Sequence, residues 1–508
     1  MFAAFRLAKL GQSCILIEKN THTTLHPKME FTNHRSMEIY RHVGLVELLR
    51  PLGVPESWGF SEIFTDGLGG GNVEVPIARI DRPSPAELRK IWKESNNGSH
   101  PLEPQMRLSQ IIYEKKLKEL VQKEESVHAF WGYSFVSLTE DNDCVTSTVT
   151  DPEGKTLVIE SQYVIGCDGA GSQVRSSIGI EAPRKQLGLN LAYAHFKTKE
   201  IEKMRTKGDW WHMTTLNGAL VVSQDEIETY TVHRMIPPGM PFQMDDPVEF
   251  VKESLGGMGG PLDIDVEVIL CGKWSSDLSI ASSFRSPGGR VFLAGDAAHQ
   301  LTPAGGHGLN SGIQDIYDLT WKLHSILQNW GGAHLLTSYT LERRPIAELY
   351  TRLAEKATME VFLPWFTMAQ TLGLENLTAK TEYGQQCREK VRDAISAGRW
   401  THEQDGAVLG YSIVDFTEEG GVSGLFERVA GECGIPVTAV WIPDERHCRD
   451  VWERDVVLVR PDGFVAWRCP VEGVGGVGVE VVRKVLLTVV GREEKGALDL
   501  TNMIFLEV

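Results

Sequence analysis

One run constrains the fold more than any other: Arg290-Val-Phe-Leu-Ala-Gly-Asp-Ala-Ala-His-Gln-Leu-Thr-Pro-Ala-Gly-Gly-His-Gly-Leu-Asn-Ser-Gly312. Its apolar opening reads as a buried strand over residues 290–295. That strand delivers Asp296 to its carboxyl end, the edge at which α/β sheets bind ligands. A Pro/Gly-rich loop follows, where missing side chains let a ligand approach the backbone. A long helix is predicted over residues 308–329, opening near 309–311. Its free N–H groups and positive dipole end face the same place. The carboxylate suits a sugar hydroxyl, and the helix end suits negative charge. A structural strand–turn–helix, with Asp296 merely capping the turn, is the alternative; the length of the run argues against it.

The opening residues read as the second half of a Rossmann unit. Phe2, Phe5 and Leu10 lie near one helix face, Gly11 supplies a stop, and an apolar strand then ends in Glu18. In a complete unit a G-x-G-x-x-G turn precedes that acid by about 20 residues. Counting back from Glu18 puts the turn before Met1, so the chain reads as opening inside the helix, without the phosphate-binding turn. An ordinary amphipathic helix and strand fits these residues equally well.

Further along, helices are expected over 33–50 and 105–122, and strands over 127–150 and 155–164. These lead into Tyr163-Val-Ile-Gly-Cys-Asp-Gly169, where Asp168 ends a strand. Asp-Gly alone is a common turn. Residues 60–100 are rich in Gly, Pro and Asn, with a short strand near 73–80. Residues 187–284 are strand-rich, 335–400 mostly helical, and β character returns from about 405. Gly473-Val-Gly-Gly-Val-Gly478 matches G-x-G-x-x-G formally, with Glu493 about 20 residues on. Pro470 spoils the strand that should precede it, so a dinucleotide site is not expected there.

Composition removes several function classes. With 51 basic and 68 acidic residues the chain carries a net −17, which repels phosphate backbones; no nucleic-acid partner is expected. The 8 cysteines form no C-x-x-C pair, which argues against a disulfide scaffold and a metal site and fits a reducing compartment. No apolar run approaches the roughly 18–20 residues of a membrane span. Basic residues lie inside the N-terminal apolar stretch rather than before it, unlike a signal peptide. A cytoplasmic protein with no transmembrane segment is expected.

Residues 290–322 resemble the second FAD-binding motif of the class A flavoprotein aromatic hydroxylases, the family of p-hydroxybenzoate hydroxylase, phenol hydroxylase and the polyketide and rifampicin monooxygenases. The resemblance implies that Asp296 holds the ribityl chain. It places Pro303, Gly306, Gly308, Leu309 and Asn310 in the loop and helix end beside the isoalloxazine ring. Asp315, Leu319, Trp321 and Lys322 continue the match. The stretch around Asp168 resembles the family's Asp-Gly motif, near both flavin and nicotinamide. Pro104-Gln-Met-Arg-Leu108 resembles the segment in which Gln105 contacts the flavin. Lys28 stands where the family has an Arg that touches the flavin or its pyrophosphate; Lys keeps the charge but loses the bidentate fork. Glu18 ends the strand where the acid of a Rossmann unit is expected. Residues 456–467 resemble a hairpin in the family's thioredoxin-like C-terminal domain.

The implied fold is α/β: a Rossmann-like FAD-binding domain (1–60, 101–186 and 285–360), an inserted mixed β-sheet substrate-binding domain (61–100 and 187–284), a helical connector (361–404) and a thioredoxin-like C-terminal domain (405–508). The implied activity is monooxygenation of a small aromatic substrate, phenolic or polyketide-like, in secondary metabolism. FAD is the cofactor, NAD(P)H the co-substrate, and a homodimer the expected assembly. The substrate would sit between flavin and the 187–284 sheet, near Trp210, Trp211, His212, His233 and Trp274, each of which reads equally as packing. No catalytic residue is assigned. A truncated, catalytically inactive remnant is the main alternative, favoured by the absent Gly-rich turn. Another FAD oxidoreductase of the same superfamily is a further one. A halogenase is disfavoured, because no Gly-x-Trp-x-Trp-x-Ile-Pro stretch is present.

Overall fold

The structure, a computed structural model, describes residues 1–69, 75–95, 100–236, 244–363, 372–397, 411–443, 446–471 and 473–492. The helix Phe2–Lys9 buries Phe2, Ala4 and Phe5, and Gly11, at φ 73°, follows its end. Strand Cys14–Glu18 then pairs in parallel with Val127–Trp131. A second parallel pair joins Val164–Gly166 to Val291–Leu293. Ile165 of this second pair and Ala294, which follows it, pack in the same core as Phe2 and Phe5. Strand Cys14–Glu18 is less buried than its apolar sequence suggests: Ile15 is 46% exposed. Among the described residues it has a strand neighbour on one side only.

An eight-stranded mixed sheet forms the second layer. Its order is His299–Gln300, Glu267–Ile280, Arg184–Lys197, Thr229–Ile236, Ala219–Ser223, His212–Thr215, Glu62–Thr65 and Ala78–Ile80. Strand alternation divides its residues. Ala192, Ala194 and Phe196 join a core with Phe250 and Leu255 of the helix Pro247–Gly256. Tyr193 and His233, directly paired, therefore lie on the opposite face.

A small pairing matters for the site. Phe31–Thr32 runs antiparallel to Met106–Arg107. The helix expected from 105 therefore begins only at Gln110 and runs to Lys123. Gln105 precedes a strand instead of opening a helix.

The C-terminal sheet has the order Val437–Trp441, Tyr411–Asp415, Val456–Val459, Val465–Arg468, with the first pair parallel and the others antiparallel. Helices Gly421–Cys433 and Val479–Val489 pack with it into one core, a thioredoxin-like arrangement. Its first strand, Tyr411–Asp415, is wholly buried. The Gly-rich 473–478 segment forms a turn and leads into a helix, but the strand before it, Val465–Arg468, belongs to an antiparallel hairpin. It is no βαβ unit, and Glu493 lies outside the described residues.

The turn after Val459 anchors this domain to the long helix His307–Leu327. Arg460 reaches Asp318 at 2.9 Å and Glu342 at 2.6 Å, and Arg35 donates to the Asp462 carbonyl at 2.7 Å. Asp318, Glu342 and Asp462 converge closely enough to hold an ion, but Arg460 and Lys322 already occupy them with cationic groups. Among the described residues no helix is long and apolar enough to cross a membrane.

Candidate active site

Strand Val291–Leu293 ends in the tight turn Gly295–Ala297, which carries Asp296. The Asp296 carboxylate is open to solvent yet walled by protein. Burial raises its pKa, while His299 and Lys28 pull it down. An accessible carboxylate in a partly dry recess is suited to accept hydrogen bonds from a ligand. Lys28, an exposed residue, is one of its nearest positive charges, so the fold brings these two predicted residues together.

Asp315 fixes this turn. Its buried carboxylate accepts from the Gly295 N–H at 3.0 Å, meets His299 Nε2 at 2.7 Å and receives Arg343 Nε at 2.8 Å. Burial would raise its pKa, but His299 and Arg343 hold it at about 2. Close approach also requires two glycines: a Cβ on Gly312 would stand 3.3 Å from the Gly295 Cα.

The helix His307–Leu327 starts slightly earlier than expected. Gly306, at φ 66°, is its N-cap and supplies no side chain to cap it. A Cβ at Gly308 would meet nothing within 4 Å, so a ligand has room beside the first turn. Pro303 is exposed and Leu309 half-buried against the core. Asn310 is buried and internally committed: its amide donates to the Gly306 carbonyl at 2.7 Å and to Phe31 O at 3.3 Å, and its Oδ1 accepts from Asn33 N at 3.0 Å. It shapes the loop 31–33 with its side chain, leaving ligand contact to the backbone. Gln105, beside that loop, is 9% exposed and its Oε1 has no partner.

Two predicted residues are held by their own turns. Asp168 accepts from Ser172 Oγ and from the N–H groups of Gln173 and Val174, capping the helix Gln173–Ser177. Arg175 in that helix donates to the Ala297 carbonyl at 2.7 Å, so the Asp-Gly turn abuts the Asp296 turn. Glu18 bonds Asn20 through its backbone and side-chain amides, both at 2.8 Å.

Facing this cleft, the large sheet presents polar aromatics. His26 stacks on Tyr193 with centroids 4.2 Å apart, Trp274 donates to His233 at 3.3 Å, and His212 lies 3.4 Å from Glu30. Burial lowers the pKa of both His26 and His233 to about 4. Both imidazoles are therefore neutral at pH 7 and able to donate or accept a proton in a hydrogen bond. Trp210 is not part of this face: it packs in the core behind the sheet and bonds Met204 O. Trp211 packs with Phe60 and Val222 on the cleft side. Sequence reasoning missed Glu30, Arg107 and Arg343; their partners are 182, 119 and 28 residues away, and nothing local marks them.

A family model described as an FAD binding domain matches residues 1–354. An FAD-dependent monooxygenase of Emericella nidulans is 32% identical, the alignment covering 92% of this chain and 85% of the relative. Another FAD-dependent monooxygenase, from Penicillium oxalicum, is also 32% identical over 86% of this chain and 95% of its own. The 4-methyl-5-nitrocatechol 5-monooxygenase of a Burkholderia species is 28% identical over 92% and 91%. A solved flavin-dependent monooxygenase crystallised with FAD and substrate superposes over 97% of each chain with a TM-score of 0.81 at 22% identity, a likeness of fold. These relatives support the monooxygenase reading and give no support to an inactive remnant. With the family model spanning residues 1–354 of 508, this chain belongs to the FAD-binding family of class A flavoprotein aromatic hydroxylases.

Proposed function

We propose that this chain binds FAD in the cleft between Asp296, the start of the helix His307–Leu327 and Gln105, and there hydroxylates a small phenolic or polyketide-like aromatic with NAD(P)H and O₂. The observation that carries this is the unpartnered, buried Gln105 Oε1 beside an uncapped helix start and an accessible Asp296. A buried polar atom without a partner calls for one, and a flavin edge supplies it. The residues present fit FAD at its ribityl and ring end.

FAD, when bound, supplies reduction by NAD(P)H and activation of O₂; orientation and electrostatics come from the protein. Asp296 accepts from ribityl hydroxyls, and the first-turn amides of the helix stabilise negative charge. The loop 31–33, tied down by Asn310, fixes the floor on which the substrate rests. The Tyr193–His233–Trp274 face holds the aromatic substrate and keeps water away from the reacting atoms. All eight cysteines are free, which supports a reducing, cytoplasmic setting. A homodimer remains our proposal for its assembly.

The test is NAD(P)H oxidation by purified protein with excess FAD across a panel of phenols, with ¹⁸O₂ as the oxygen source. Substrate-stimulated oxidation and one labelled oxygen in the product are expected. Label arriving from water, or no stimulation by any phenol, contradicts the proposal.

A further inference from the structure

The sheet face across the cleft fixes the tautomers of two histidines so that one offers a proton and the other a lone pair. Trp274 Nε1–H donates to His233 Nδ1 at 3.3 Å. Nδ1 is thereby the acceptor of that ring, and Nε2 carries the proton. Burial lowers the His233 pKa to about 4, so the ring is neutral at pH 7. The His212 ring is turned the other way. Its Nε2 lies 3.4 Å from the Glu30 carboxylate, which can only accept. The proton therefore sits on Nε2, and in the neutral ring Nδ1 is a bare acceptor. Trp211 stacks on this ring with centroids 3.9 Å apart and holds its plane. His233 is left with a free Nε2–H and His212 with a free lone pair at Nδ1; among the described residues neither atom has a partner. Neither is sealed from solvent: the His212 side chain is 24% exposed, and His233 is half-buried.

The sheet sets how far apart these two atoms stand. His233 pairs with Leu220, and His212 with Val222, on the intervening strand Ala219–Ser223. Leu220 and Val222 are two residues apart, so both histidines rise from the same face. Two strand spacings of about 4.8 Å and an offset of two residues put their Cα atoms about 12 Å apart. Two hydrogen bonds of about 2.9 Å and one substituted benzene ring fill such an interval. His212 and Glu30 both act on the charge of His233, so the three side chains lie within electrostatic reach of one another. Tyr193, directly paired with His233, walls the donor end. Its ring is clamped between that of His26, 4.2 Å away, and Gly272, where a Cβ would stand 3.0 Å from the tyrosine hydroxyl. The acceptor end borders the flavin side: Glu30 precedes the strand Phe31–Thr32, and Asn310 ties Phe31 and Asn33 to the start of the helix His307–Leu327.

Resting on the proposed function, we infer that His212 and His233 form a paired acceptor and donor that reads two oxygens of one ring, so that the substrate carries a hydroxyl and, across the ring, a second oxygen that accepts. The hydroxyl donates to His212 Nδ1. The second oxygen, of an ether, carbonyl or hydroxyl, accepts from His233 Nε2–H. Oxygens on opposite sides of a ring cannot bond each other, so both hydrogen bonds are made to the protein. Glu30 and Trp274 are positioning residues, acting through the tautomers they fix. No covalent bond changes at either histidine; the pair selects and orients.

The probes are 4-methoxyphenol, which has both groups, 4-ethylphenol, which has the hydroxyl alone, and 1,4-dimethoxybenzene, which has acceptors alone. Binding to FAD-reconstituted protein is read by calorimetry, which needs no turnover. The wild type should bind 4-methoxyphenol about fivefold more tightly than either of the others, the scale of one buried hydrogen bond. Ethyl is the more apolar substituent, so hydrophobic burial alone would reverse the order of the two phenols. His233→Phe should bring 4-methoxyphenol down to the level of 4-ethylphenol, whose own affinity moves less than about twofold. His212→Phe should weaken both phenols and leave 1,4-dimethoxybenzene nearly unchanged. Trp274→Phe should lose part of the methoxy preference, and nitrogen-15 NMR should show the His233 proton shared between Nδ1 and Nε2 instead of fixed on Nε2. Melting curves confirm that the variants fold, and the wild-type comparison stands without them. No preference for 4-methoxyphenol in the wild type, or equal weakening of all three ligands by both histidine variants, overturns the pairing. Failure of the monooxygenase reading looks different: no FAD is retained and no phenol stimulates NAD(P)H oxidation.

Discussion

Replacing Asp315 with Asn tests how the cleft is held in shape. The carboxylate joins three otherwise separate pieces: the Gly295 N–H of the Asp296 turn, His299 on the edge of the large sheet, and Arg343 on the helix His334–Lys356. It is fully buried, yet its pKa falls from 3.8 to about 2 because His299 and Arg343 outweigh the cost of burial. That drop corresponds to about 2 kcal/mol of folded-state preference for the charged form. A folded pKa below the unfolded one stabilises the protein above the unfolded value, near 3.9, and the contribution disappears as pH falls towards 2. Asn can still accept from Gly295, but it leaves Arg343 buried without its counter-charge, a loss that reaches about 3–5 kcal/mol for buried pairs. The expected result at pH 7 is a melting temperature lower by about 5–10 °C in the FAD-binding part. FAD affinity should fall as well, since the Asp296 turn loses its tether. Between pH 4 and pH 2 the gap between wild type and variant should narrow. Thermal melts across that pH range, with and without FAD, read both effects. An unchanged melting temperature at pH 7 would refute the reasoning.

Gly312→Val puts side-chain carbon against the Gly295 Cα, where even a Cβ would stand 3.3 Å away; equilibrium dialysis should show weakened FAD binding. Gln105→Leu should leave the cofactor-free melting temperature unchanged or raised, because an unpartnered polar atom is removed, yet weaken FAD binding by about tenfold; the reverse pattern would mean Gln105 is structural. Burial pushes the Asp318 carboxyl above its ordinary value, while Arg460 and Lys322 hold the neighbouring Glu342 below its own.

Legibility in the sequence followed the range of the interactions. The Asp296 turn, the glycine loop and the long helix were readable because their geometry is written within residues 290–312. The Gly473–Gly478 decoy was rejected on local grounds as well, through Pro470. What escaped was set by partners distant in sequence. Gln105 was expected in a helix, but Phe31–Thr32 claims Met106–Arg107 as a strand. Trp210 and Trp211 are neighbours in sequence and lie on opposite sides of the sheet, the period-2 consequence of an edge that the flanking Gly and Asp residues do not announce. The side chain of Asp168 closes hydrogen bonds within its own turn, and that of Asn310 divides its bonds between its own turn and the distant loop 31–33, partners that the resemblance did not mark. The Arg107–Glu226 and Asp315–Arg343 pairs were invisible, since a buried ion pair leaves no periodic trace.

The most direct test of the account is titration of the purified chain with FAD, followed by flavin fluorescence, for wild type and Asp296→Ala in parallel. The account predicts saturable binding of one FAD per chain in the wild type. It predicts an affinity at least about tenfold weaker in the variant, since a charge-assisted hydrogen bond contributes about 1.5–3 kcal/mol. Binding that is absent in the wild type, or identical in the two proteins, would contradict the claim that this cleft is the flavin site.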